Sequence, residues 1–346
     1  MRVRITQIDG KIPNLALMRL SSFHKNRGDE VVFTRSVNYS IFDGKYDRVY
    51  GSVLFSQSLP LLERFRRTFP DAIVGGSGSG NLLSVEEIIG ENQEGADYEP
   101  YPDFDASIGY TQRGCRLRCG FCVVPDREGK PKTAQTIAEI WRGDPFPGKI
   151  LLLDNDFFGQ PERDWRARID EMIAGRFRVC FNQGINIRKI TDDEARALAS
   201  IQYRDTKFKN RRLYAAWDNL RDEKIFFDGV DRLEKAGIPP KHLMVYMLIG
   251  YDPTETFDRL MYRFNRMVQI GILPYPMVYG SGNATLKAFQ RWVIRGLYRH
   301  VPFEEYSRNP EVKKKVRNHE ITETCRPADS LESDGITMKN VFRKYI

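Results

Sequence analysis

The sequence is poor in cysteine and histidine, with five cysteines and four histidines among 346 residues. So few cysteines exclude a disulfide-stapled scaffold. No two histidines stand at a metal-ligand spacing, so each is expected at the surface. No apolar run approaches the roughly 20 residues of a membrane span, and the first residues lack the pattern of a signal peptide. We therefore expect a cytoplasmic protein that does not enter a membrane.

The charge balance is basic but not extreme, with a formal net charge of +8 and 29% charged residues. The basic excess lies after residue 100, and two runs stand out, in residues 203–214 and 313–317. The first run alternates its basic residues with Phe208 and Tyr214. These runs predict docking of an anionic substrate, or of a nucleic acid if the rings stack on bases. A solvated charged face is the alternative interpretation.

The first hundred residues alternate between strand-like and helix-like patterns. Strand-like segments cover residues 2–8, 30–34, 49–55 and 72–76, and helical spacing follows Leu15 and covers 59–68. Strands alternating with helices predict a small parallel sheet with helices on both faces. Residues 92–105 are acidic and contain glycine and proline, so they are interpreted as a linker.

A longer and more regular series follows the linker. Strand-like cores begin at intervals of roughly 30 residues, near Ser107, Lys149, Arg178, Arg212, Met244 and Leu273. Each interval contains an amphipathic stretch long enough for a crossover helix. Such βα units predict a parallel barrel, and six units are fewer than the eight of a closed barrel. The last residues, from about 301, have no clear period and are interpreted as an extension.

Three of the five cysteines fall within eight residues, at Cys115, Cys119 and Cys122. The spacing C-x3-C-x2-C on a loop after a strand suits three corners of a four-iron cluster, and it leaves one iron open. Structural zinc requires four ligands, and no other cysteine or histidine lies nearby in the sequence. Three metal-free cysteines would be the alternative.

This segment resembles the radical SAM superfamily, whose motif is C-x3-C-x-Φ-C with an aromatic Φ, here Phe121. The longer string Arg-Gly-Cys-Arg-Leu-Arg-Cys-Gly-Phe-Cys-Val-Val-Pro is similar to the branch that contains the methylthiotransferases and the cobalamin-binding-type enzymes. The resemblance extends over residues 1–300. It implies an α/β fold with a Rossmann-like (flavodoxin-like) domain in 1–91, a linker in 92–105, a partial (β/α)6 TIM-type radical SAM barrel in 106–300 and a short C-terminal extension in 301–346.

The resemblance also implies an activity. The three cysteines would bind a [4Fe-4S] cluster, and the amino and carboxylate groups of S-adenosylmethionine (SAM) would chelate the open iron. An electron from a flavodoxin-type or ferredoxin-type partner would cleave the sulfonium bond and release a 5′-deoxyadenosyl radical. That radical would modify an unreactive carbon of a nucleoside, a nucleic acid or another anionic metabolite. The protein would position and shield the reacting groups.

Cofactor and substrate candidates are taken from the ends of the predicted strands, where such barrels bind ligands. Carboxylates there suit the ammonium of SAM, amides suit its ribose, an arginine suits its carboxylate, and a glycine allows close approach. The cofactor candidates are Phe121, Asp154, Asp156, Asn182, Gln183, Gly184, Arg188, Asp218 and Gly250. Met277 and Tyr279 are candidates for the substrate side. The alternative interpretation of these positions is structural: helix capping, turn formation or, for Arg188, an arginine at the surface.

Two cysteines stand alone. Cys180 lies inside a predicted strand and is expected to be a buried thiol. Cys325, on the extension, is a candidate hydrogen-atom donor or cluster ligand according to the resemblance, and an idle surface thiol otherwise.

Departures from the family motifs reduce the number of reactions that the resemblance allows. No cysteine precedes Cys115, so the second cluster of a methylthiotransferase cannot form. Residues 9–14 correspond to the cobalamin loop D-x-H-x-x-G, but Lys11 replaces its histidine and Asn14 its glycine. Cobalamin bound without that ligand remains a candidate cofactor, which makes a cobalamin-dependent methyltransferase the first alternative. A non-catalytic iron–sulfur module is the second.

Overall fold

The computed structural model describes residues 1–81, 83–90, 95–280 and 283–308. The protein is of mixed α/β type, and its three larger sheets are parallel, as predicted. Contacts divide the chain into two units, the first formed by Met1–Asp105 and the second beginning at Ala106. Among the described residues, no helix combines the length and the apolar character needed to cross a membrane.

The first unit contains one sheet whose four strands follow the order β2-β1-β3-β4. Its strands are β1 (Arg2–Gln7), β2 (Glu30–Thr34), β3 (Arg48–Ser52) and β4 (Ile73–Gly75). Its helices are α1 (Leu15–Asn26), α2 (Leu59–Thr68) and the short α3 (Glu86–Ile89), with a 3-10 turn at Ser56–Ser58.

Helices cover both faces of this sheet. On one face Val3 and Ile5 of β1 pack with Leu17 of α1. On the other face Val74 of β4 packs with Phe65 of α2. Because both faces are covered, consecutive residues of the central strand β1, from Val3 to Gln7, are buried whether they are apolar or polar.

Arg4 shows how a polar side chain is accommodated in β1. It is 2% exposed, and its guanidinium pairs with Asp43 at 2.9 Å. The same group donates to the carbonyls of Ser36 and Asn38. The buried charge is therefore both paired and hydrogen-bonded, which burial requires.

His24 is buried, so the prediction that it lies at the surface is wrong. Its Nδ1 lies 2.7 Å from Asp29, and its Nε2 lies 3.2 Å from the hydroxyl of Tyr50. Both ring nitrogens have partners, and this satisfies the polar atoms of the imidazole inside the core.

The segment interpreted as a linker contacts the first unit over its described residues. Lys25 of α1 pairs with Asp97 at 2.8 Å. The Tyr101 hydroxyl donates to Gln7 at 2.7 Å and accepts from the amide of Asn14. Burial raises the pKa of Tyr101 to about 12. Residues 95–105 are thus held by specific hydrogen bonds.

The second unit contains six strands of the predicted series together with three short additional strands. The strands are β5 (Ser107–Gly109), β6 (Gln112–Arg113), β7 (Lys132–Thr133), β8 (Lys149–Leu152), β9 (Arg178–Phe181), β10 (Gln202–Tyr203), β11 (Leu213–Ala216), β12 (Leu243–Ile249) and β13 (Leu273–Val278). The six predicted starts agree with β5, β8, β9, β11, β12 and β13 to within one residue.

Helices follow these strands in the chain. They are α4 (Val124–Arg127), α5 (Ile137–Ile140), α6 (Glu162–Ala174), α7 (Asp192–Ser200), α8 (Glu223–Lys235), α9 (Phe257–Gln269), α10 (Ala284–Ile294) and α11 (Phe303–Arg308). Short 3-10 turns occupy Phe157–Gly159, Ile187–Lys189, Leu220–Asp222, Pro240–His242 and Leu297–Arg299.

The strands of the second unit form two parallel sheets, β10-β9-β8-β5 and β11-β12-β13. The Ile185 amide, just after β9, donates to the Tyr214 carbonyl of β11 at 2.7 Å and joins the two sheets. In α9, Leu260, Phe264 and Met267 are buried at helical spacing against the strands. Because the strands of both sheets are parallel, their carboxyl ends share one edge and their amino ends share the opposite edge.

Candidate functional site

The three clustered cysteines lie on one loop between β6 and α4, which we call the cysteine loop (residues 114–123). Cys115, Cys119 and Cys122 are each partly exposed, and none forms a disulfide. The loop begins at Gly114, whose amide donates to Glu128 at 2.8 Å. Gly114 has a φ of +82°, and a Cβ there would stand 2.4 Å from the Lys130 carbonyl oxygen. Glycine is required at this position on both grounds.

Asp156, which follows β8, binds the cysteine loop directly. Its carboxylate accepts hydrogen bonds from the Arg116 amide at 3.0 Å and from the guanidinium at 2.8 and 3.0 Å. The Asp156 amide donates to Gln112 of β6 at 3.0 Å. Asp156 is 0% exposed, and a bidentate arginine is the partner that best satisfies a buried carboxylate. This predicted cofactor residue thus holds the loop at the carboxyl end of β8.

Asp154, which also follows β8, connects this strand end to Thr111. Its carboxylate accepts from the Thr111 amide at 2.8 Å and from the Thr111 hydroxyl. Complete burial raises the pKa of the Asp154 carboxyl to about 7, and the hydrogen bonds from Thr111 oppose that rise. Asp154 therefore ties the segment after β5 to the end of β8.

Arg188, after β9, reaches the central cysteine. Its Nη2 donates to the Cys119 Sγ at 3.3 Å, and its Nη1 pairs with Asp222 at 2.8 Å. Arg188 therefore connects the segment after β9 to the cysteine loop. The predicted role of Arg188, binding the carboxylate of SAM or a substrate anion, stays a prediction.

Aromatic rings meet the cysteine loop at the end of β12. Phe121 packs edge-to-face on Tyr251 with ring centroids 5.2 Å apart, and Tyr251 packs on Tyr279 at 4.9 Å. A Cβ on Gly120 would lie 2.8 Å from the Tyr251 hydroxyl oxygen, so the loop approaches this ring closely. Gly250, with a φ of +81°, precedes the tyrosine. Phe121, Gly250 and Tyr279 are thereby brought to one edge.

Three further candidates lie just after β9 and β11, and the contacts described here are with backbone atoms. The Asn182 amide continues the pairing of β9 by donating to the Leu152 carbonyl. Gly184 has a φ of +84°, and a Cβ there would meet the Tyr214 carbonyl oxygen at 2.9 Å. The Asp218 carboxylate accepts from the Leu248 amide at 3.0 Å. Turn and strand-end chemistry accounts for these contacts.

The other predicted positions differ in accessibility. Met277 is 1% exposed inside β13, whereas Gln183 is partly buried directly after β9. Cys180 is buried in β9, as predicted. Cys325 and the basic run 313–317 lie outside the described residues.

Sequence reasoning missed the partners that assemble the site. Thr111, Gln112, Arg116, Asp222 and Tyr251 bind or contact the candidates named above. Arg116 lies between Cys115 and Cys119 in the sequence, and this position is the one sequence feature that could have indicated its role. The others come from distant parts of the sequence and have no local pattern.

The cysteine loop carries three thiols, the donor type by which proteins hold iron–sulfur clusters. Within the part of the chain that the structure describes, no three or more histidine, cysteine, aspartate or glutamate side chains are grouped as a metal ion would need. The thiolates of a four-iron cluster bind different iron atoms, so they need not converge on one point. Three partly exposed thiols outside disulfides, one beside a guanidinium, are the ligand type that such a cluster uses.

The sequence matches no protein-family model and no curated protein.

Proposed function

We propose that the protein is a radical SAM enzyme in which Cys115, Cys119 and Cys122 hold a [4Fe-4S] cluster. The observation that carries the proposal is the attachment of the cysteine loop to the carboxyl ends of parallel strands. Asp156 after β8 and Arg188 after β9 bind the loop, and Tyr251 after β12 packs on it. In parallel α/β folds, ligands bind at this edge.

The topology of each unit supports the proposal. Six parallel strands, each followed by helical segments, are the content of a partial (β/α)6 barrel. The order β2-β1-β3-β4 in the first unit is that of a flavodoxin-like, Rossmann-type sheet. This combination is what the resemblance of the cysteine motif implies.

The residues of the site have separable roles. Arg116 and Asp156 fix the loop that carries the ligands, and Arg188 donates a hydrogen bond to the Cys119 sulfur. Phe121 of the loop packs edge-to-face on Tyr251, which attaches the loop to the segment after β12. When bound, the cluster and SAM would supply one-electron cleavage of the sulfonium and the 5′-deoxyadenosyl radical.

The first unit favours one specific alternative, cobalamin-dependent methylation. Its strand order reverses beside β1, and doubly wound sheets bind ligands where the order reverses. The loop after β1 is preorganised, because Asp9 accepts from the amides of Leu54 and Phe55 at 2.7 and 2.8 Å. Retention of corrin absorbance after anaerobic incubation with cobalamin and gel filtration would select this alternative.

The proposal is tested by anaerobic reconstitution with iron and sulfide, followed by SAM and dithionite. We expect about four irons per chain and release of 5′-deoxyadenosine, measured by chromatography. Cys119→Ala should lose the product and most of the iron. Cys180→Ala is the matched control, since it removes a thiol from the core of β9 and should keep both.

The two negative outcomes have different meanings. Failure of the wild type to bind iron overturns the proposal altogether. A chain that binds iron but releases no 5′-deoxyadenosine is a non-catalytic iron–sulfur module, which also overturns the enzyme proposal.

A further inference from the structure

The edge of the second unit opposite the cysteine loop carries a concentration of positive charge, which we call the amino-end patch. Its members stand at or beside the amino ends of β9, β11 and β12 and next to β10, and they are Arg178, Arg204, Arg211, Arg212, Lys241 and His242. β12 has seven residues, so the patch lies roughly 20 Å from the strand ends that hold the cysteine loop. It is a surface separate from the proposed cofactor site.

These cations lie near one another, and Asp205 is the carboxylate whose charge acts on Arg204. Burial lowers the pKa of the Arg204 guanidinium, and the charges of Arg211 and Arg178 lower it further. Burial also lowers the pKa of His242, again helped by Arg211 and by the neighbouring charges of Lys241 and Arg212. The Arg212 guanidinium reaches the Lys241 carbonyl at 3.5 Å, so the two basic segments adjoin.

The patch differs in this respect from other arginines of the same unit. Arg116, Arg188 and Arg263 each form an ion pair with a carboxylate. Among the described residues, none of the five arginines and lysines of the patch forms such a pair. Because like charges that lie close together repel one another, a bound anion would stabilise this surface.

The loop that presents the patch is rigidly built. Asp205 is 4% exposed, and its carboxylate accepts hydrogen bonds from the amides of Lys207, Lys209 and Asn210. Phe208 is buried although its φ is +59°, a conformation that costs free energy in a residue with a side chain. A preorganised loop loses less entropy when it binds a ligand.

The rings of this segment are not available for stacking. Phe208 and Tyr214 are 6% and 5% exposed, so the prediction that they interleave with bases is wrong for this surface. Arg211 and Lys241 are exposed, and the cations are distributed over three neighbouring strand ends. Adjacent strands are about 4.8 Å apart, so the charges extend beyond the size of one phosphate. The arrangement suits several phosphates in a row, read by charge and without base contacts.

We propose that the amino-end patch binds the phosphate backbone of a nucleic acid, independently of base sequence and apart from the cysteine loop. The test uses the full chain and a fluorescein-labelled, 20-nucleotide single-stranded RNA of mixed sequence, with anisotropy measured over a salt series. Arg211→Gln combined with Lys241→Gln should weaken binding and make the slope of log K against log salt less steep by about 1.4. A second RNA of unrelated sequence should respond equally.

The matched control is Arg163→Gln combined with Lys224→Gln. It also removes two exposed positive charges, from the first turns of α6 and α8, and should leave the slope unchanged. Equal losses in the two double variants would overturn the assignment to this patch.

Competition by tripolyphosphate as strong as by RNA at equal phosphate concentration would overturn the nucleic-acid assignment in favour of a small phosphorylated anion. Release of 5′-deoxyadenosine without RNA should stay at the wild-type level in the patch variant, so failure here is distinguishable from failure of the proposed function.

Discussion

Asp156 and Arg116 are the residues through which the barrel strands hold the cysteine loop. Asp156 is fully buried and Arg116 is partly exposed, so removal of either partner leaves a charge without its main partner. In a double-mutant cycle with Asp156→Asn and Arg116→Gln, we expect a coupling free energy of about 1–3 kcal/mol, measured by urea unfolding. The exposed pair Lys224–Asp228 is the control and should couple by less than about 0.5 kcal/mol. Additive single effects at Asp156 and Arg116 would contradict a positioning role.

Asp154 should make stability depend on pH in an unusual direction for an aspartate. Its pKa in the folded chain is about 7, above the ordinary value of 3.8. The group therefore stabilises the fold at low pH, and that contribution is lost as pH rises through 7. Between pH 5 and 8, the unfolding free energy of the wild type should fall by roughly 2–3 kcal/mol relative to Asp154→Asn.

Asparagine is a suitable replacement because it resembles the protonated acid in shape and can accept from the Thr111 amide. Urea unfolding of both proteins at several pH values between 5 and 8 measures the effect. An identical pH dependence in wild type and Asp154→Asn would show that another group is responsible.

The identity of the candidate residues was predictable from the sequence to a greater extent than their roles. The sequence predicts Asp154 and Asp156 as candidates because they follow an apolar strand, and both lie at the end of β8. Their partners, Thr111 and Arg116, are about 40 residues away in the sequence. No local pattern encodes such a pairing, and helix capping or cofactor binding would leave the same local sequence. Contacts with the cysteine loop therefore emerge only from the fold.

At the scale of elements, the antiparallel pair β6–β7 sets the start of the cysteine loop, which lies between the two strands in the chain. Gly114→Ala would place a methyl group 2.4 Å from the Lys130 carbonyl oxygen, in addition to the strain of a φ of +82°. Gly129→Ala carries similar strain, at a φ of +71°, but its Cβ would meet nothing within 4 Å. We expect Gly129→Ala to cost about 1 kcal/mol and Gly114→Ala clearly more. Equal costs in thermal or urea unfolding would mean that the close approach to Lys130 has no effect.

The long elements were predicted well, and the short ones were missed, for the same physical reason. The helix at Leu59–Thr68 and the seven-residue strand Leu243–Ile249 contain enough residues for a period to appear. The strands Gln112–Arg113 and Gln202–Tyr203 have two residues each, which is too few for any period. Gln202–Tyr203 forms because the longer β9 offers a free hydrogen-bonding edge, and Gln112–Arg113 forms by pairing with the equally short β7. His24 was misjudged for a related reason, since its partners Asp29 and Tyr50 are supplied by tertiary structure.

At the scale of the whole second unit, the parallel strands place the proposed cofactor site and the proposed RNA-binding surface at opposite edges of the sheets. The carboxyl ends hold the cysteine loop, and the amino ends hold the amino-end patch. Since the two edges are roughly 20 Å apart and share no side chain named here, changes at one edge should leave the other unaffected. Cys119→Ala should keep the RNA affinity and the salt slope of the wild type while 5′-deoxyadenosine release is lost. Arg211→Gln combined with Lys241→Gln should show the reverse pattern, and the triple variant should show both losses without enhancement. Loss of RNA binding in Cys119→Ala, in a protein whose unfolding free energy matches that of the wild type, would mean that the RNA is held at the cysteine loop and that the two ends form one site.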